Sequence, residues 1–155
     1  AYGRPGDEFR FYEIDPLVAQ LAASEFTYMR NSRAKVDVII GDGRLELARE
    51  PAKRFDVLLI DAFSGDSVPA HLLTREAFEL YFNKLKPEGV LAVHITNRYV
   101  NLVPVLAKAA AGRLSTNACS CAAGRSPASN RLCVPLLTRS TQLMALVLRG
   151  RWVGS

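Results

Sequence analysis

The first hundred residues alternate between short extended apolar runs and segments whose apolar residues recur at helical spacing. The extended runs are residues 9–14, 36–40, 55–60 and 90–95. The helical patterns are a segment beginning at Asp15-Pro16 and residues 44–49, 75–85 and 102–111. This alternation is typical of βαβ units, whose helices cover a mostly parallel sheet. The sequence therefore predicts an α/β fold.

Local signals refine this expectation at several boundaries. Asp15 can cap a helix that begins at Pro16, and we expect that helix to bury Leu17, Val18 and Leu21. Thr74 can cap the helix over residues 75–85. Residues 86–89 (Lys-Pro-Glu-Gly) predict a turn before the strand at 90–95. Beyond residue 112 the pattern weakens, and we expect a late strand over 132–138 and a short helix over 141–148.

The chain has 155 residues, which is the length of one compact domain, so we expect a single domain over residues 1–155. Its apolar runs are too short to cross a bilayer, and no basic stretch followed by an apolar one opens the chain. We therefore expect no membrane span and a cytoplasmic location. The cysteines are Cys119, Cys121 and Cys133, an odd number without metal-ligand spacing. This pattern favours reduced thiols and predicts no metal site.

The net charge of +5 is unevenly distributed along the chain. Residues 1–100 carry 13 Lys or Arg and 15 acids, a net of −2. Residues 101–155 carry 7 Lys or Arg and no acid, a net of +7. These positive charges are scattered and lack interleaved aromatic residues, which favours a solvated face over a nucleic-acid surface. We expect no nucleic-acid partner.

Three acidic residues, Glu13, Asp42 and Asp61, lie where predicted strands end. Ligands of open parallel sheets bind beyond the carboxyl ends of the strands. Glu13 can accept hydrogen bonds from ribose hydroxyls, or it can be a solvated acid. Asp42 can reach an adenine amino group, because its neighbours Gly41 and Gly43 let the backbone approach a flat ring, or it can cap a helix. Asp61 can act as a base in the crevice, or it can be satisfied by loop N–H groups.

The ordered set of motifs resembles the spermidine synthase-like branch of the class I S-adenosylmethionine-dependent methyltransferase fold. The matching segments are residues 11–16, 40–43, 55–64, 68–74 and 85–97. The resemblance is strongest over residues 9–110, and residues 112–131 are atypical. It implies a Rossmann-like sheet and, as donor, decarboxylated S-adenosylmethionine or S-adenosylmethionine itself.

Site roles follow from the same resemblance. Glu13, Asp42 and Gly43 would bind the donor, with Glu13 on the ribose and Asp42 on the adenine. Asp61 would stand at the small-molecule amine that accepts the transferred group. An amine with a solution pKa of about 10 is mostly protonated at neutral pH, so it must lose a proton before it attacks carbon. A carboxylate can bind the cation and help to remove that proton.

The sequence departs from spermidine synthases in three ways. Their second acid after the buried strand lies two residues earlier than Asp66 does here, and their glutamine at the end of the next strand is His94 here. Both residues are candidates for substrate binding; His94 can also simply pack at the strand end. The family's first strand and glycine-rich loop would precede Ala1, so the resemblance describes an N-terminally truncated fold. We expect this chain alone to bind S-adenosyl ligands weakly or not at all.

Three functions remain open on the sequence. The first is an aminopropyltransferase of polyamine biosynthesis, which moves an aminopropyl group from decarboxylated S-adenosylmethionine to an amine. The second is a small-molecule methyltransferase that uses Glu13 and Asp42 in the same way without needing Asp61 as a base. The third is a non-catalytic, degenerate domain that pairs with another chain. A homodimer is among the expected assemblies. Fold resemblance alone does not separate these functions.

Overall fold

A computed structural model of the chain describes residues 3–62, 68–94, 101–110, 131–133 and 145–149. The strands are β1 (Glu8–Glu13), β2 (Lys35–Ile40), β3 (Phe55–Ile60), β4 (Leu85–Val93), β5 (Arg131–Cys133) and β6 (Ala145–Arg149). The helices are α1 (Pro16–Ser24), α2 (Gly43–Arg49), α3 (Arg75–Lys84), α4 (Val103–Ala110) and a 3-10 helix at Ala70–Leu73. The predicted α/β alternation is confirmed.

The described strands form one sheet in the order β2-β1-β6-β3-β4-β5. β1 pairs in parallel with β2, β3 with β4, and β4 with β5. β6 is antiparallel to both of its neighbours, β1 and β3. Since β1 and β3 each oppose β6, they run in the same direction. The carboxyl ends of β1 to β5 therefore share one edge of the sheet.

The larger apolar core lies between the sheet and α3, with contributions from α2, α4 and the 3-10 helix. Helix α3 presents Ala77, Phe78, Tyr81 and Phe82 at the i, i+1, i+4, i+5 spacing of one buried helix face. The strand residues of this core include Phe55, Leu58, Ile60, Leu91 and Val93. A smaller apolar group on Phe11 and Ala22 joins β1 and β2 to α1. The sheet is thus covered on both faces.

Helix α1 buries a different face from the one predicted. Val18, Ala19 and Ala22 pack against the sheet, as residues spaced by three and four positions do on one helix face. Leu17 and Leu21 are instead 65% and 55% exposed, so the prediction that they are buried is wrong. The apolar pattern of α1 extends around more of the helix than the sheet can cover, and the sequence alone did not indicate which side would face it.

The predicted turn at residues 86–89 belongs to strand β4. β4 pairs Leu85 with Phe55 and Val90 with Val57, so its chain gains extra residues between these two pairs. The turn composition therefore marks an irregularity inside the strand. Gly89 lies in it with no room for a side chain, because a Cβ there would be 2.9 Å from both the Lys86 carbonyl oxygen and Leu85 Cδ2.

The end of the chain differs most from the sequence prediction. Residues 145–149 form β6, so the helix predicted over 141–148 is wrong for its last residues, and residues 141–144 lie outside the described part. β5 (Arg131–Cys133) overlaps the predicted late strand at 132–138, of which 134–138 are not described. The position between β1 and β3 is filled by β6, which hydrogen-bonds to both neighbours.

Candidate active site

Four predicted site residues lie at the shared carboxyl edge of the sheet. Glu13 ends β1, Asp42 follows β2 by two residues, Asp61 directly follows β3 and His94 directly follows β4. Glu13 and Asp42 come from adjacent strands, whereas one strand, β6, separates the ends of β1 and β3. At about 4.8 Å per strand spacing, the ends of β1 and β3 are about 10 Å apart. This edge is where open α/β sheets bind their ligands.

Asp61 and His94 form a buried pair. The register aligns Ile60 with Val93, so the next residue of each strand lies beside the other, and the His94 backbone N–H donates to the Ile60 carbonyl at 2.8 Å. His94 Nδ1 is 2.6 Å from Asp61 Oδ1. The residues are 9% and 8% exposed, respectively. Water therefore competes little for this hydrogen bond.

Asp42 caps helix α2 and also contacts the 3-10 helix. Its Oδ1 accepts the backbone N–H groups of Arg44 and Leu45 at 2.9 and 3.0 Å, which is N-cap geometry. Its Oδ2 is 3.4 Å from His71 Nε2. The capping alternative raised by the sequence is thus present, and it occupies one of the two carboxylate oxygens. Gly43 is the first residue of α2.

Glu13 lies half-buried where β1 passes into α1. Its Oε1 accepts the backbone N–H of Asp15 at 2.9 Å, and its carbonyl accepts the N–H of Gly41 at 2.9 Å. Asp15 caps α1 by accepting from Leu17 N–H at 2.8 Å, as predicted. These local bonds fix the turn after β1 and join it to the end of β2. Glu13 and Asp42 therefore lie at the ends of two adjacent strands, on the same edge of the sheet.

His71 is the site neighbour that sequence reasoning did not single out. It lies on the 3-10 helix. Tyr81 of α3 stabilises this helix, because its hydroxyl donates a hydrogen bond to the Leu72 carbonyl at 3.1 Å. Burial raises the pKa of the Tyr81 phenol, so it remains a donor at neutral pH. Arg44 Nη1 also donates to the His71 carbonyl, at 2.7 Å. No local pattern links positions 42 and 71. The sequence showed a histidine near a predicted loop, and nothing in it indicated that this histidine would contact Asp42.

Asp66 lies outside the described residues, as do Cys119 and Cys121. Within the described ranges, no group of three or more His, Cys, Asp and Glu side chains is arranged to hold a metal ion. None of the helices described is both long and apolar enough to cross a membrane.

Comparison with known proteins assigns this arrangement to a family. The sequence model of the spermine/spermidine synthase domain matches residues 7–123, more than half of the chain. The matched range includes Glu13 and Asp42 as well as Asp61 and His94. The chain belongs to the spermine/spermidine synthase domain family. The predicted family and its Rossmann-like fold class are confirmed.

Two curated relatives carry related descriptions. The chain is 34% identical over 92 residues to a polyamine aminopropyltransferase of Vibrio vulnificus, an alignment that covers 58% of this chain and 30% of the relative. It is 31% identical over 83 residues to a probable polyamine aminopropyl transferase of Bifidobacterium longum, covering 54% of this chain and 18% of the relative. The aligned part of the chain therefore spans less than a third of either relative. No solved structure matches the chain significantly.

Proposed function

We propose that this chain carries the transferase site of an aminopropyltransferase, which moves an aminopropyl group from decarboxylated S-adenosylmethionine to a small amine. The observation that carries the proposal is a buried carboxylate, Asp61, at the carboxyl end of β3 in a chain of the spermine/spermidine synthase domain family. The descriptions of the two curated relatives support the same reaction class.

The donor would lie across the carboxyl edge of the sheet. Glu13 uses one carboxylate oxygen on the Asp15 N–H, and its second oxygen would accept a hydrogen bond from a ribose hydroxyl. Asp42 uses Oδ1 on the N-terminus of α2, which leaves Oδ2 for an adenine amino group once His71 moves aside. Gly43 places no side chain beside such a ring. The sulfonium of the donor activates the adjacent carbon.

Asp61 would bind the acceptor amine and take its proton. The amine nitrogen then forms a bond to the carbon next to the sulfonium, and the carbon–sulfur bond breaks. Its electron pair stays on sulfur, which leaves as a neutral thioether. Alignment of nitrogen, carbon and sulfur is a proximity effect worth several kcal/mol in favourable cases. A negative carboxylate in a buried setting attracts the cationic amine more strongly than it would in water.

We further propose that residues 1–155 form one domain, that the protein works in the cytoplasm, and that Asp66 contributes to binding the amine. The expectation of reduced cysteines supports the location. The position of Asp66, five residues after Asp61 in the loop that follows β3, supports its role.

The decisive experiment crosses two donors with a panel of diamines and triamines. The chain, extended at its N-terminus by the first strand and glycine-rich loop of the family, is incubated with decarboxylated S-adenosylmethionine or with S-adenosylmethionine, and products are identified by mass spectrometry. We expect aminopropylated amine with the decarboxylated donor. Methylated product with S-adenosylmethionine would select the methyltransferase alternative, and no product with either donor would select the non-catalytic one.

A chimaera addresses the glycine-rich loop. Fusing the first strand and glycine-rich loop of the Vibrio vulnificus relative to the N-terminus supplies the donor-binding segment that the family resemblance implies. We expect isothermal titration to detect weak or no binding of S-adenosyl ligands to the chain alone and tighter binding to the chimaera. Micromolar binding by the chain alone would contradict this expectation.

Asp61→Asn tests the role of the carboxylate in whichever protein transfers the aminopropyl group. It keeps the side-chain shape but removes the charge and the proton acceptor, so we expect kcat/KM to fall by about 10²- to 10⁴-fold. Asp7→Asn is a matched control, because Asp7 lies before β1 at the opposite edge and its carboxylate accepts a local bond from Arg4 N–H, which an asparagine oxygen can also accept. If Asp61→Asn left the transfer intact, the proposed role of Asp61 would be wrong.

A further inference from the structure

The hydrogen bond between Asp61 and His94 has a direction, with one donor and one acceptor, that follows from its geometry. A carboxylate oxygen and an imidazole nitrogen 2.6 Å apart must share a proton, since two lone pairs at that distance would repel each other. With Asp61 ionised, that proton is on Nδ1, and the imidazole donates to Oδ1. One oxygen of the carboxylate, Oδ1, is thus hydrogen-bonded to His94.

The second carboxylate oxygen is in a different position. The bond to His94 engages Oδ1, so a ligand would approach the carboxylate at Oδ2. The residue is only 8% exposed, and a carboxylate buried to that extent has lost most of its hydration. An ammonium ion would supply Oδ2 with both a hydrogen-bond donor and the opposite charge.

The backbone makes the pair rigid. The two residues follow paired positions in parallel strands, and the His94 N–H is itself bonded to the Ile60 carbonyl. The imidazole has two side-chain torsions, and burial of the residue together with the bond to Asp61 restricts both of them. The Asp61 carboxylate is therefore oriented by β4 as well as by its own strand.

We propose that His94 is a positioning residue for the transfer, which holds Asp61 through Oδ1 so that Oδ2 receives the acceptor amine and its proton. This inference rests on the proposed function. It gives His94 a role through Asp61, in place of direct substrate binding or simple packing. Because Oδ1 is bonded to His94, the carboxylate would bind one ammonium group, through Oδ2. The nitrogen of that group is the one that attacks the donor carbon.

Two substitutions separate hydrogen bonding from packing. In His94→Asn the amide nitrogen is as many bonds from Cβ as Nδ1 is, so a donor remains for Asp61 Oδ1. In His94→Leu the size is similar but the donor is lost. We expect kcat to fall about 100-fold in His94→Leu, the scale of a misplaced catalytic group, with a smaller change in KM. We expect His94→Asn to recover kcat to within about tenfold of wild type.

The double variant supplies an internal check. If His94 acts through Asp61, His94→Leu should cost little more when Asp61 is already asparagine, because groups that act as a unit are not additive. The proposal is overturned if His94→Leu retains kcat within about threefold of wild type. It is also overturned if His94→Asn is as defective as His94→Leu while both variants melt at the wild-type temperature.

Nuclear magnetic resonance tests the pair without any turnover, so it separates this proposal from the proposed function. In protein labelled with ¹⁵N-histidine, we expect a proton bound to His94 Nδ1 and strongly deshielded by its short bond to the carboxylate. Asp61→Asn should shift that signal toward the position of an ordinary neutral hydrogen bond. A wild-type His94 with no proton on Nδ1 at neutral pH would overturn the positioning role even if the transfer reaction is found.

Discussion

Glu50 joins several basic and aromatic side chains on the α2 side of the sheet. Its Oε1 accepts from Arg10 Nη1 and, at 3.0 Å, from the Tyr12 hydroxyl. Its Oε2 is 3.5 Å from Arg54 Nε. Burial raises the pKa of the Tyr12 phenol, and the hydrogen bond to Glu50 raises it further, so Tyr12 remains a donor. The side chain of Glu50 is only 9% exposed and lies beside both guanidinium groups, which also contact Asp37 and Glu8 at 3.8 and 3.5 Å, respectively.

Replacing Glu50 with Gln should be destabilising. The amide keeps the shape of the side chain but removes the charge that both guanidinium groups share, which leaves Arg10 the contact with Asp37 and Arg54 the contact with Glu8. Removing one partner of a buried ion pair costs about 3 kcal/mol, and these remaining acids reduce that loss to about 1–2 kcal/mol. Urea denaturation at pH 7 measures the change, and Glu25→Gln, at an exposed position, should alter the free energy of unfolding by less than about 0.5 kcal/mol. Equal stability of the two variants would contradict the network.

At the same scale, Glu13→Gln tests donor binding. Gln can still accept from the Asp15 N–H through its carbonyl, but its amide group offers a ribose hydroxyl a donor where Glu13 offers an acceptor. A hydrogen bond to a charged group contributes about 1.5 kcal/mol, so we expect KM for the donor to rise about tenfold with a smaller change in kcat. Steady-state kinetics measure both values. Glu88→Gln, at an exposed acid near the opposite edge, is the control; the assignment fails if both variants share the wild-type KM.

At the scale of elements, side-chain caps begin three helices. Asp15 caps α1, Asp42 caps α2 and Thr74 caps α3. Such caps satisfy backbone N–H groups that have no partner in the first helical turn. The cap of α3 bears most on the core, because α3 carries the largest set of buried aromatic residues. Its first turn also includes Glu76.

Thr74→Ala should shift the unfolding equilibrium by about 1 kcal/mol. The variant loses the hydroxyl oxygen that accepts the Ala77 N–H at 3.3 Å, while the backbone of the turn can stay as it is. Thr74→Ser keeps that oxygen and serves as the control. Thermal unfolding followed by circular dichroism should therefore rank wild type and Ser together above Ala. A melting temperature for Ala equal to that of Ser would show that the cap contributes nothing.

Glu76 should make the stability of α3 depend on pH. Its pKa lies below the ordinary value of 4.5, because its own backbone N–H and then the Thr74 hydroxyl hydrogen-bond the charged form. A pKa lowered by folding stabilises the protein above the unfolded value, and this contribution is lost as pH falls through the folded value. Glu76→Gln should thus lower the melting temperature at pH 7, and the difference from wild type should be smaller at about pH 3, below the ordinary value of 4.5. A constant difference between the two proteins at both pH values would contradict the assignment.

At the scale of the whole molecule, β6 connects two parts of the sheet. β2 and β1 lie on one side of it and β3, β4 and β5 on the other. Val147 is aligned with Arg10 of β1 and with Leu58 of β3. Glu13 belongs to the first part and Asp61 to the second, so β6 sets the separation between the proposed donor-binding residue and the proposed amine-binding residue. This strand is the last described segment of the chain.

Val147→Pro should therefore loosen the sheet at its centre. Proline removes a backbone donor, and central strands exclude it for that reason. An unpaired acceptor in the neighbouring strand adds about 1–3 kcal/mol to the cost. In Val147→Pro, the backbone amides of β1 and β3 should exchange hydrogen faster than the same amides do in Val147→Thr. The threonine variant is the control, because it keeps both the β-branched shape and the backbone N–H. Unchanged protection of both strands would mean that β6 does not join them.

Much of the site could be predicted because its residues follow strands that local patterns define. β1, β2 and β3 were predicted to within one residue at each end, so Glu13, Asp42 and Asp61 were placed correctly at the strand ends. The contacts between these positions could not be predicted. The bond from His94 to Asp61 depends on the β3–β4 register, and the approach of His71 to Asp42 depends on how a 3-10 helix packs on α3.

Local sequence was enough to predict the alternation of strands and helices, the caps and the strand-end carboxylates, since each arises from the periodicity and chemistry of neighbouring residues. Long-range packing was needed to establish which face of α1 is buried, that residues 86–89 remain within β4, and that residues 145–149 form a strand. For that last segment, the hydrogen-bond partners are β1 and β3, more than 80 residues away along the chain. Pairing over such a separation satisfies backbone groups that a local helix would satisfy equally well, so no local pattern could choose between them.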